Sequence, residues 1–281
     1  MAVKIVTDSL SDITEDFAKE LGVTVVPLTV IFGHEQYLDR VTITTDQFYD
    51  RLVNGTVWPT TTQPTPAAFT EVYNELAKET DEILVITFTS KLSGTYESAL
   101  NAKNLAKGKC RIEVIDSKMI AGGLGLIVIS AAKAAKEGAN LDQLVELVHS
   151  AMNRTHFTIY FETLTYLAKG GRIGKAKELL GSVLSIKQIL TVKDGELMPL
   201  TRKRSLTAGM DYLYNLMAGY PDAEAVAVEH TTTPDVADSL ATRISSIFPE
   251  DKIFRSIVSP VLGVHGGPGA IAVTVLEAEK K

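Results

Sequence analysis

The 281-residue sequence contains one cysteine, Cys110, and no apolar run long enough to cross a bilayer. A single cysteine excludes an intrachain disulfide framework and a zinc site built from several cysteines. A membrane-spanning helix takes about 20 consecutive apolar residues, and the longest uncharged helix-like stretch, residues 119–132, is far shorter. The net charge of −6 gives no indication of a general affinity for nucleic acid or anionic lipid surfaces.

The N-terminal residues read as a β-strand and carry no apolar signal-peptide core. The contents of apolar residues (45%) and charged residues (22%) are typical of a globular protein that buries a substantial core. We therefore expect a soluble cytoplasmic protein.

Motifs of the common nucleotide-binding and hydrolytic enzymes are missing as well. The string nearest to a G-x-x-x-x-G-K-[ST] phosphate loop, residues 170–176, has the wrong spacing and no hydroxyl after Lys175. The dinucleotide motif G-x-G-x-x-G, the nucleophile motif G-x-S-x-G and the metal motif H-E-x-x-H do not occur. The five histidines are scattered along the chain. We therefore expect neither a metal nor a cofactor.

The first half of the chain alternates strand and helix patterns. Apolar strands are predicted over 3–7, 23–32, 83–88 and 111–115, and helices over 14–21, 45–53, 66–78, 119–137 and 141–152, with a turn at 90–96 leading into a helix that ends near 105. Apolar strands separated by helices indicate a parallel α/β sheet. Gly122, Gly123 and Gly125 each cost a helix about 1 kcal/mol relative to alanine. Such a cost indicates that another group approaches the backbone closely.

The second half has a different pattern. We predict a helix over 164–184, a hairpin over 189–197 with a type I′ turn at Asp194-Gly195, and a helix over 235–248. Further strands are predicted over 158–161, 225–229, 253–258 and 270–276. This change of pattern predicts two domains, residues 1–155 and 156–281.

Four polar or glycine-rich strings carry the candidate chemistry: residues 61–66, 90–96, 169–173 and 263–269. The turn 90–96 opens a helix, where free backbone N–H groups and the helix dipole favour an anion. The string 169–173 sets an arginine beside glycines. The loop 263–269 leaves backbone N–H groups and His265 exposed to a ligand. Each string alone is also typical of a helix cap, a helix end or a strand connection.

Seven strings follow one another along the whole chain in a recognisable order. They are Thr7-Asp8-Ser9, Thr61-Thr62-Gln63-Pro64-Thr65-Pro66, Ser93-Gly94-Thr95-Tyr96, Asp116-Ser117, Leu167-Ala168-Lys169-Gly170-Gly171-Arg172-Ile173, Lys193-Asp194-Gly195 and His265-Gly266-Gly267-Pro268-Gly269. In this set and order the sequence resembles the DegV family of fatty-acid-binding proteins. One difference is Thr62, where the family often has serine; the hydroxyl is kept and a methyl group is added.

The resemblance implies an α/β protein of the DegV type. Its N-terminal domain is expected to be a three-layer α/β/α structure with a parallel sheet, and its C-terminal domain a two-layer α+β structure with a mixed sheet. A long-chain fatty acid is expected between the domains. By the same resemblance, the protein is a carrier and not an enzyme: it presents the carboxylate to a separate ATP-dependent fatty acid kinase, and the acyl-phosphate then passes to phospholipid synthesis.

The resemblance also implies site residues. Those expected around the carboxylate are Thr61, Thr62, Ser93, Gly94, His265 and Gly266. Those expected to contact the phosphoryl group or the kinase are Arg172 and Arg202. Hydroxyls and helix amides satisfy a carboxylate without a tight arginine clamp. Burying a 16-carbon tail contributes about 0.8 kcal/mol per methylene, or about 12 kcal/mol gross.

Two other functions remain open at this stage. One is a stand-alone hydrolase or phosphotransferase that uses Ser93 and His265, although no general base for the serine and no carboxylate to orient the histidine are visible. The other is a lipid sensor with a partner that is not a kinase.

Overall fold

The computed structural model of the protein describes residues 2–179 and 186–279. The strands are β1 (Lys4–Asp8), β2 (Val23–Val26), β3 (Thr29–Phe32), β4 (Glu35–Leu38), β5 (Thr60–Thr62), β6 (Glu82–Thr87), β7 (Arg111–Asp116), β8 (Thr155–Phe161), β9 (Lys187–Lys193), β10 (Glu196–Lys203), β11 (Ala225–His230), β12 (Ile253–Ile257) and β13 (Ile271–Leu276). The α-helices are α1 (Glu15–Leu21), α2 (Thr45–Asn54), α3 (Pro66–Leu76), α4 (Thr95–Leu105), α5 (Gly122–Lys136), α6 (Leu141–Arg154), α7 (Thr165–Lys169), α8 (Leu206–Ala218), α9 (Pro234–Ile244) and α10 (Pro260–Gly266).

A parallel sheet with the strand order β2-β1-β6-β7 forms the centre of the N-terminal part, which runs to the end of α6. Neighbouring residues of one strand point to opposite faces. Val6 and Val85 therefore pack with the aromatic side chains of α3, whereas Ile5 and Leu84 pack in the core that contains α5. Both faces are covered by helices, and the predicted α/β/α arrangement is confirmed.

A mixed sheet with the order β10-β9-β8-β13-β11-β12 forms the C-terminal part. The pair β11–β12 is parallel and the other pairs are antiparallel. Helices α8 and α9 contact this sheet, and residues of both contribute to its second apolar core. The other sheet face packs against α5. The predicted mixed sheet is confirmed.

Helix α5 lies between the two sheets, and most of its side chains are buried, as expected for a helix that is apolar on all sides. Its glycines allow close approach. A Cβ atom at Gly122 would lie 2.5 Å from Oε2 of Glu229, and one at Gly125 would lie 2.5 Å from the carbonyl oxygen of Ser11. The expectation that another group approaches this backbone is therefore confirmed, and close packing accounts for both glycines.

The Asp194-Gly195 hairpin between β9 and β10 is also confirmed, because both turn residues have positive φ, 52° and 83°. The predicted helix over 164–184 is wrong for most of its described length. Helix α7 ends at Lys169, since Gly171 and Gly174 adopt positive φ (69° and 53°), and residues 174–179 form a 3₁₀-helix. Residues 180–185 of that prediction lie outside the described residues.

Several further elements differ from the sequence prediction. Pro27 separates β2 from β3, and β3 then pairs with β4 and β5 in a small antiparallel sheet. Residues 60–62 are therefore a strand rather than a loop. The helix α8 was not predicted, and α10 occupies residues predicted in part as a glycine-rich loop.

Candidate functional site

A cavity lies between the carboxyl edge of the parallel sheet and one face of the mixed sheet. The space free of protein atoms, including the part open to solvent, is about 830 Å³. Leu10, Leu28, Phe88 and Ile120 reach it from the segments that follow the four parallel strands. This edge is where open α/β sheets generally bind ligands.

The opposite wall comes mainly from the mixed sheet and is apolar. Phe157, Ile159 and Phe161 alternate along β8, so all three point into the cavity while Tyr160 points into the second core. The other apolar lining residues are Leu92, Ala121, Leu167, Leu197, Val258, Val261, Leu262, Ala270 and Ala272. The interior therefore suits an alkyl chain.

Polar groups are concentrated in a few segments of the lining. The polar lining side chains are Thr61, Thr62, Gln63, Ser93, Arg172, Thr231 and His265, and the backbone of Gly266 lies with them. The structure thus brings together six of the eight predicted residues. Gly94 lies directly behind this group, since a Cβ atom there would lie 2.9 Å from Nε2 of Gln63. Arg202 is not part of it: it is exposed on the edge strand β10, paired with Gln188.

Thr61 and His265 are brought together from opposite parts of the chain. Pairing of β5 with β3 holds Thr61, and its Oγ1 lies 3.1 Å from Nε2 of His265 on α10. Burial, with a further contribution from the charge of Arg172, lowers the pKa of His265 to about 4. The imidazole is therefore neutral at physiological pH and carries one N–H.

The surroundings of His265 differ from the sequence expectation of a freely exposed ring. The ring is half-buried, and a Cβ atom at Gly170 would overlap it. Its Nδ1 has no hydrogen-bond partner among residues 2–179 and 186–279. The glycines of the 169–173 string therefore make room for the ring.

Ser93 lies at the start of α4. Its Oγ is 2.8 Å from Oγ1 of Thr95 and accepts a hydrogen bond from the Thr95 amide at 3.3 Å. The N-cap residue Gly94 offers no side chain to the first turn of the helix. The amides of that turn and the positive end of the helix dipole therefore favour an anion near Ser93.

Two aspartates at strand ends fix the turn that carries Ser93. Asp8 accepts hydrogen bonds from the amides of Leu10 (3.0 Å) and Phe88 (2.8 Å). Asp116 accepts from the amide and the hydroxyl of Ser90, at 3.2 and 2.6 Å. The two Asp-Ser strings of the sequence thus position the site without lining it.

Contacts of Arg172 and of Trp58 join the N-terminal and C-terminal parts near the polar residues. Arg172 donates from Nε to the carbonyl oxygen of Leu92 (3.3 Å) and from Nη1 to that of Gly170 (2.9 Å). The Trp58 ring stacks on Tyr166 with centroids 4.8 Å apart, and Nζ of Lys169 lies 4.0 Å from the Trp58 centroid. Arg172 is therefore a cation held beside the polar residues by backbone carbonyls.

Comparison with known proteins identifies the family. The model of the family described as "Uncharacterised protein, DegV family" matches residues 2–278. A DegV domain-containing protein of Caldanaerobacter subterraneus subsp. tengcongensis is 38% identical over 275 residues, covering 96% of this chain and 97% of the relative. The chain belongs to the DegV family.

Solved structures support the same assignment for this DegV protein. A DegV family protein from Thermus thermophilus, described with its fatty acid binding, superposes with a TM-score of 0.91 at 29% identity, over 99% of this chain and all of that one. A protein from Eubacterium ventriosum, described as a stearic acid-binding protein, has a TM-score of 0.89 at 25% identity, and 98% of each chain is covered.

Two features are absent from the described part of this DegV chain. Within residues 2–179 and 186–279, no helix is long and apolar enough to span a membrane. Over the same residues, no group of three or more histidine, cysteine, aspartate or glutamate side chains is placed to hold a metal ion.

Sequence reasoning missed several lining residues of the DegV site. Gln63 lies inside the polar string 61–66 and was available from that signal. Thr231 follows β11 and exchanges hydrogen bonds with the backbone of Ala270, a pairing that only the sheet topology reveals. The apolar wall on β8 was missed because Phe157 and Tyr160 look alike in sequence, yet they lie on opposite faces.

Proposed function

We propose that this DegV protein binds one long-chain fatty acid, with the alkyl chain in the cavity and the carboxylate beside Thr61, Ser93 and His265. The observation that supports this most is the cavity itself, whose apolar walls meet one group of hydroxyls, a neutral imidazole and a helix N-terminus. The fatty acids named for the structural relatives are consistent with it. Residues 1–155 and 156–281 would act as two domains on either side of the ligand; the change from α6 to β8 at Thr155 supports that boundary.

The energetics assign different roles to the two ends of the ligand. A 16-carbon tail contributes about 12 kcal/mol of gross burial free energy, part of which offsets the loss of translational and conformational freedom. Hydrogen bonds to a charged acceptor contribute about 1.5–3 kcal/mol each. The tail therefore dominates affinity, while the polar residues fix the position of the carboxylate.

A stand-alone hydrolase is supported less well. The Ser93 hydroxyl lies within hydrogen-bonding distance of Thr95, and Nε2 of His265 lies within hydrogen-bonding distance of Thr61. A serine nucleophile needs a base in contact with it and a group that orients that base. Since Nδ1 of His265 has no partner within the described part of the chain, that second requirement is not met there.

The first test is the ligand content of the purified protein. We expect denaturing extraction and mass spectrometry to give about one long-chain fatty acid per chain, and added palmitate to raise the melting temperature of delipidated protein. Tight binding of a ligand to the native state stabilises it by mass action. Absence of lipid together with no thermal shift would contradict the proposed function.

We further propose that the protein acts in the cytoplasm as the substrate carrier of a separate ATP-dependent kinase, which forms the acyl-phosphate. The exposed cation Arg202, on the edge strand β10, is a candidate kinase contact. Arg172, beside the polar residues, is a candidate contact for the phosphoryl group, whose charge a fixed cation stabilises.

The kinase proposal is tested with Arg202→Ala in a coupled ATP-consumption assay that contains a cognate kinase. We expect the variant to keep its fatty acid content and to lose most of the turnover, because docking and not ligand binding is impaired. The exposed Lys177→Ala serves as a charge-matched control. Full turnover with Arg202→Ala would show that this arginine does not contact the kinase. If the ligand-loaded wild type supports no kinase activity, a lipid sensor is favoured instead.

A further inference from the structure

A second polar cluster lies between the two parts of the molecule and uses none of the polar residues that line the cavity. It centres on Asp12, which follows β1 and its short 3₁₀ turn, and on Glu229, which lies on β11. Both side chains are fully buried, with 0% exposure. Buried carboxyls are costly unless they are paired or protonated.

Each carboxyl has identified donors. Oδ1 of Asp12 accepts hydrogen bonds from Nη2 of Arg40 (3.3 Å) and the amide of Ser259 (2.9 Å). Glu229 accepts from the amide of Gly122 through Oε2 (2.7 Å) and from the hydroxyl of Ser256 through Oε1 (2.9 Å). These bonds connect elements of both parts.

One oxygen of this cluster is left over. Oδ2 of Asp12 is buried and makes no hydrogen bond to residues 2–179 or 186–279; the hydroxyl of Ser259, a side-chain neighbour of Asp12, is likewise buried without a partner there. The Glu229 carboxyl is nevertheless a side-chain hydrogen-bonding neighbour of Asp12. Two ionised carboxylates have no donor between them, whereas a protonated one has an O–H to give. A proton on Glu229 would therefore give the pair a donor of its own, in addition to the Ser259 hydroxyl.

The charges around Asp12 and Glu229 favour a proton on Glu229. The groups acting on the pair are the buried carboxyls Asp8 and Asp39, the phenol of Tyr49 and the guanidinium of Arg40. Arg40 is the only cation among them in the described structure. Desolvation, followed by the charge of Asp12, raises the pKa of Glu229 to about 8. Burial likewise raises the pKa of Asp12.

The backbone around the pair is held in unfavourable conformations. Asp12, Arg40 and Ala121 are non-glycine residues with positive φ of 55°, 59° and 48°. Such conformations persist where the surrounding structure over-determines them. The three residues carry or directly precede the groups that meet in this cluster, so its geometry is imposed by the fold.

We propose that Asp12 and Glu229 share one proton at neutral pH, and that this proton holds the N-terminal and C-terminal parts together. Its loss leaves two neighbouring buried anions, whose repulsion pushes apart the segments that carry Asp12 with Ser259 and Glu229 with Gly122. Val258 and Val261, on either side of Ser259, line the cavity. Alkaline pH therefore loosens one cavity wall. This inference goes beyond the proposed function, since it holds for the ligand-free protein whatever the cavity binds.

Infrared spectroscopy of the ligand-free protein tests the proton directly. At pH 7.5, above the pKa of about 7 to which burial raises both Asp8 and Asp39, we expect the wild type to show a protonated-carboxyl C=O band that is missing in Glu229→Gln and present in Asp39→Asn. The band should weaken through about pH 8. An identical band in the wild type and Glu229→Gln would overturn the proposal.

Amide hydrogen exchange tests the consequence. In the wild type, protection of peptides containing Gly122 and Ser259 should fall about tenfold between pH 7 and pH 9, that is, across the raised pKa of Glu229, after correction for intrinsic exchange. In Glu229→Gln, whose amide keeps a neutral donor, protection should change little with pH. Should the variant fail to fold, the wild-type titration still decides: constant protection between pH 7 and 9 would contradict the role assigned to the proton.

Discussion

Replacing Ile159 by tryptophan is expected to remove fatty acid binding while leaving the ligand-free fold intact. Ile159 lies in the middle of β8 and points into the cavity, so a larger side chain occupies space that the alkyl chain would take. Each methylene kept out of the cavity costs about 0.8 kcal/mol. Excluding about four of them weakens binding by roughly 3 kcal/mol, or about two orders of magnitude in Kd.

The matched control is Ile159→Leu, because volume-conserving apolar exchanges are tolerated in packed interiors. We expect this variant to purify with fatty acid, and Ile159→Trp to purify without it. The melting temperatures of both delipidated proteins should remain close to that of the wild type. Equal fatty acid content in the tryptophan variant would show that the alkyl chain lies elsewhere.

Much of the fold follows from local sequence. The β-branched run of β1 and the apolar run of β6 predict buried strands, and the Asp194-Gly195 pair fixes its hairpin because both turn residues must adopt positive φ. The N-terminal turns of helices also predict where an anion is favoured. These signals depend on residues that are neighbours in the chain.

The two missed helices show where local signals become ambiguous. Leu206, Met210, Leu213 and Met217 have helical spacing along α8, but Gly209 interrupts it. That glycine allows the helix to pack on Tyr160, since a Cβ atom there would lie 2.6 Å from the ring. The need for glycine at this position comes from tertiary packing and cannot be predicted from residues 206–218 alone.

Helix α10 is a similar case. Pro260 at its first position is a helix-start signal, but the glycines that follow favour a loop. Gly263 is required because a Cβ atom there would lie 2.6 Å from the Phe48 ring. Packing against α2 therefore dictates a residue that weakens the local helical pattern.

The candidate site likewise combines residues that the sequence predicts with residues that only the tertiary structure reveals. The fold brings together six of the eight predicted site residues, while Gly94 lies directly behind them and Arg202 lies elsewhere. The buried carboxyls Asp12, Asp39 and Glu229 could not be predicted, because acidic residues are rarely buried unless they are paired. Their partners lie far away in the sequence, as the bond between Asp12 and Ser259 shows.

Replacing Gly170 by alanine is expected to displace His265 and to weaken fatty acid binding by about tenfold to a hundredfold. A Cβ atom at residue 170 would overlap the imidazole, and it would also lie 3.1 Å from the Tyr166 carbonyl oxygen. Since His265 lies 3.1 Å from Thr61, its displacement breaks that contact and removes a donor from the carboxylate. A hydrogen bond to a charged group contributes about 1.5–3 kcal/mol, which gives the expected loss.

Gly266→Ala is a comparison variant within the same lining, since it adds a methyl group at a predicted carboxylate residue without touching the His265 ring. A Cβ atom at residue 266 would lie 3.9 Å from Cγ2 of Thr231, an ordinary contact, so His265 should stay in place. Titration calorimetry with palmitate and with 1-hexadecanol, the alcohol of the same chain length, separates the contribution of the headgroup from that of the tail. Gly170→Ala should lower the affinity for the acid but not for the alcohol, because only the acid presents a charge to the polar residues. A similar loss for both ligands would mean that Gly170 shapes the apolar cavity and that His265 does not contact the carboxylate.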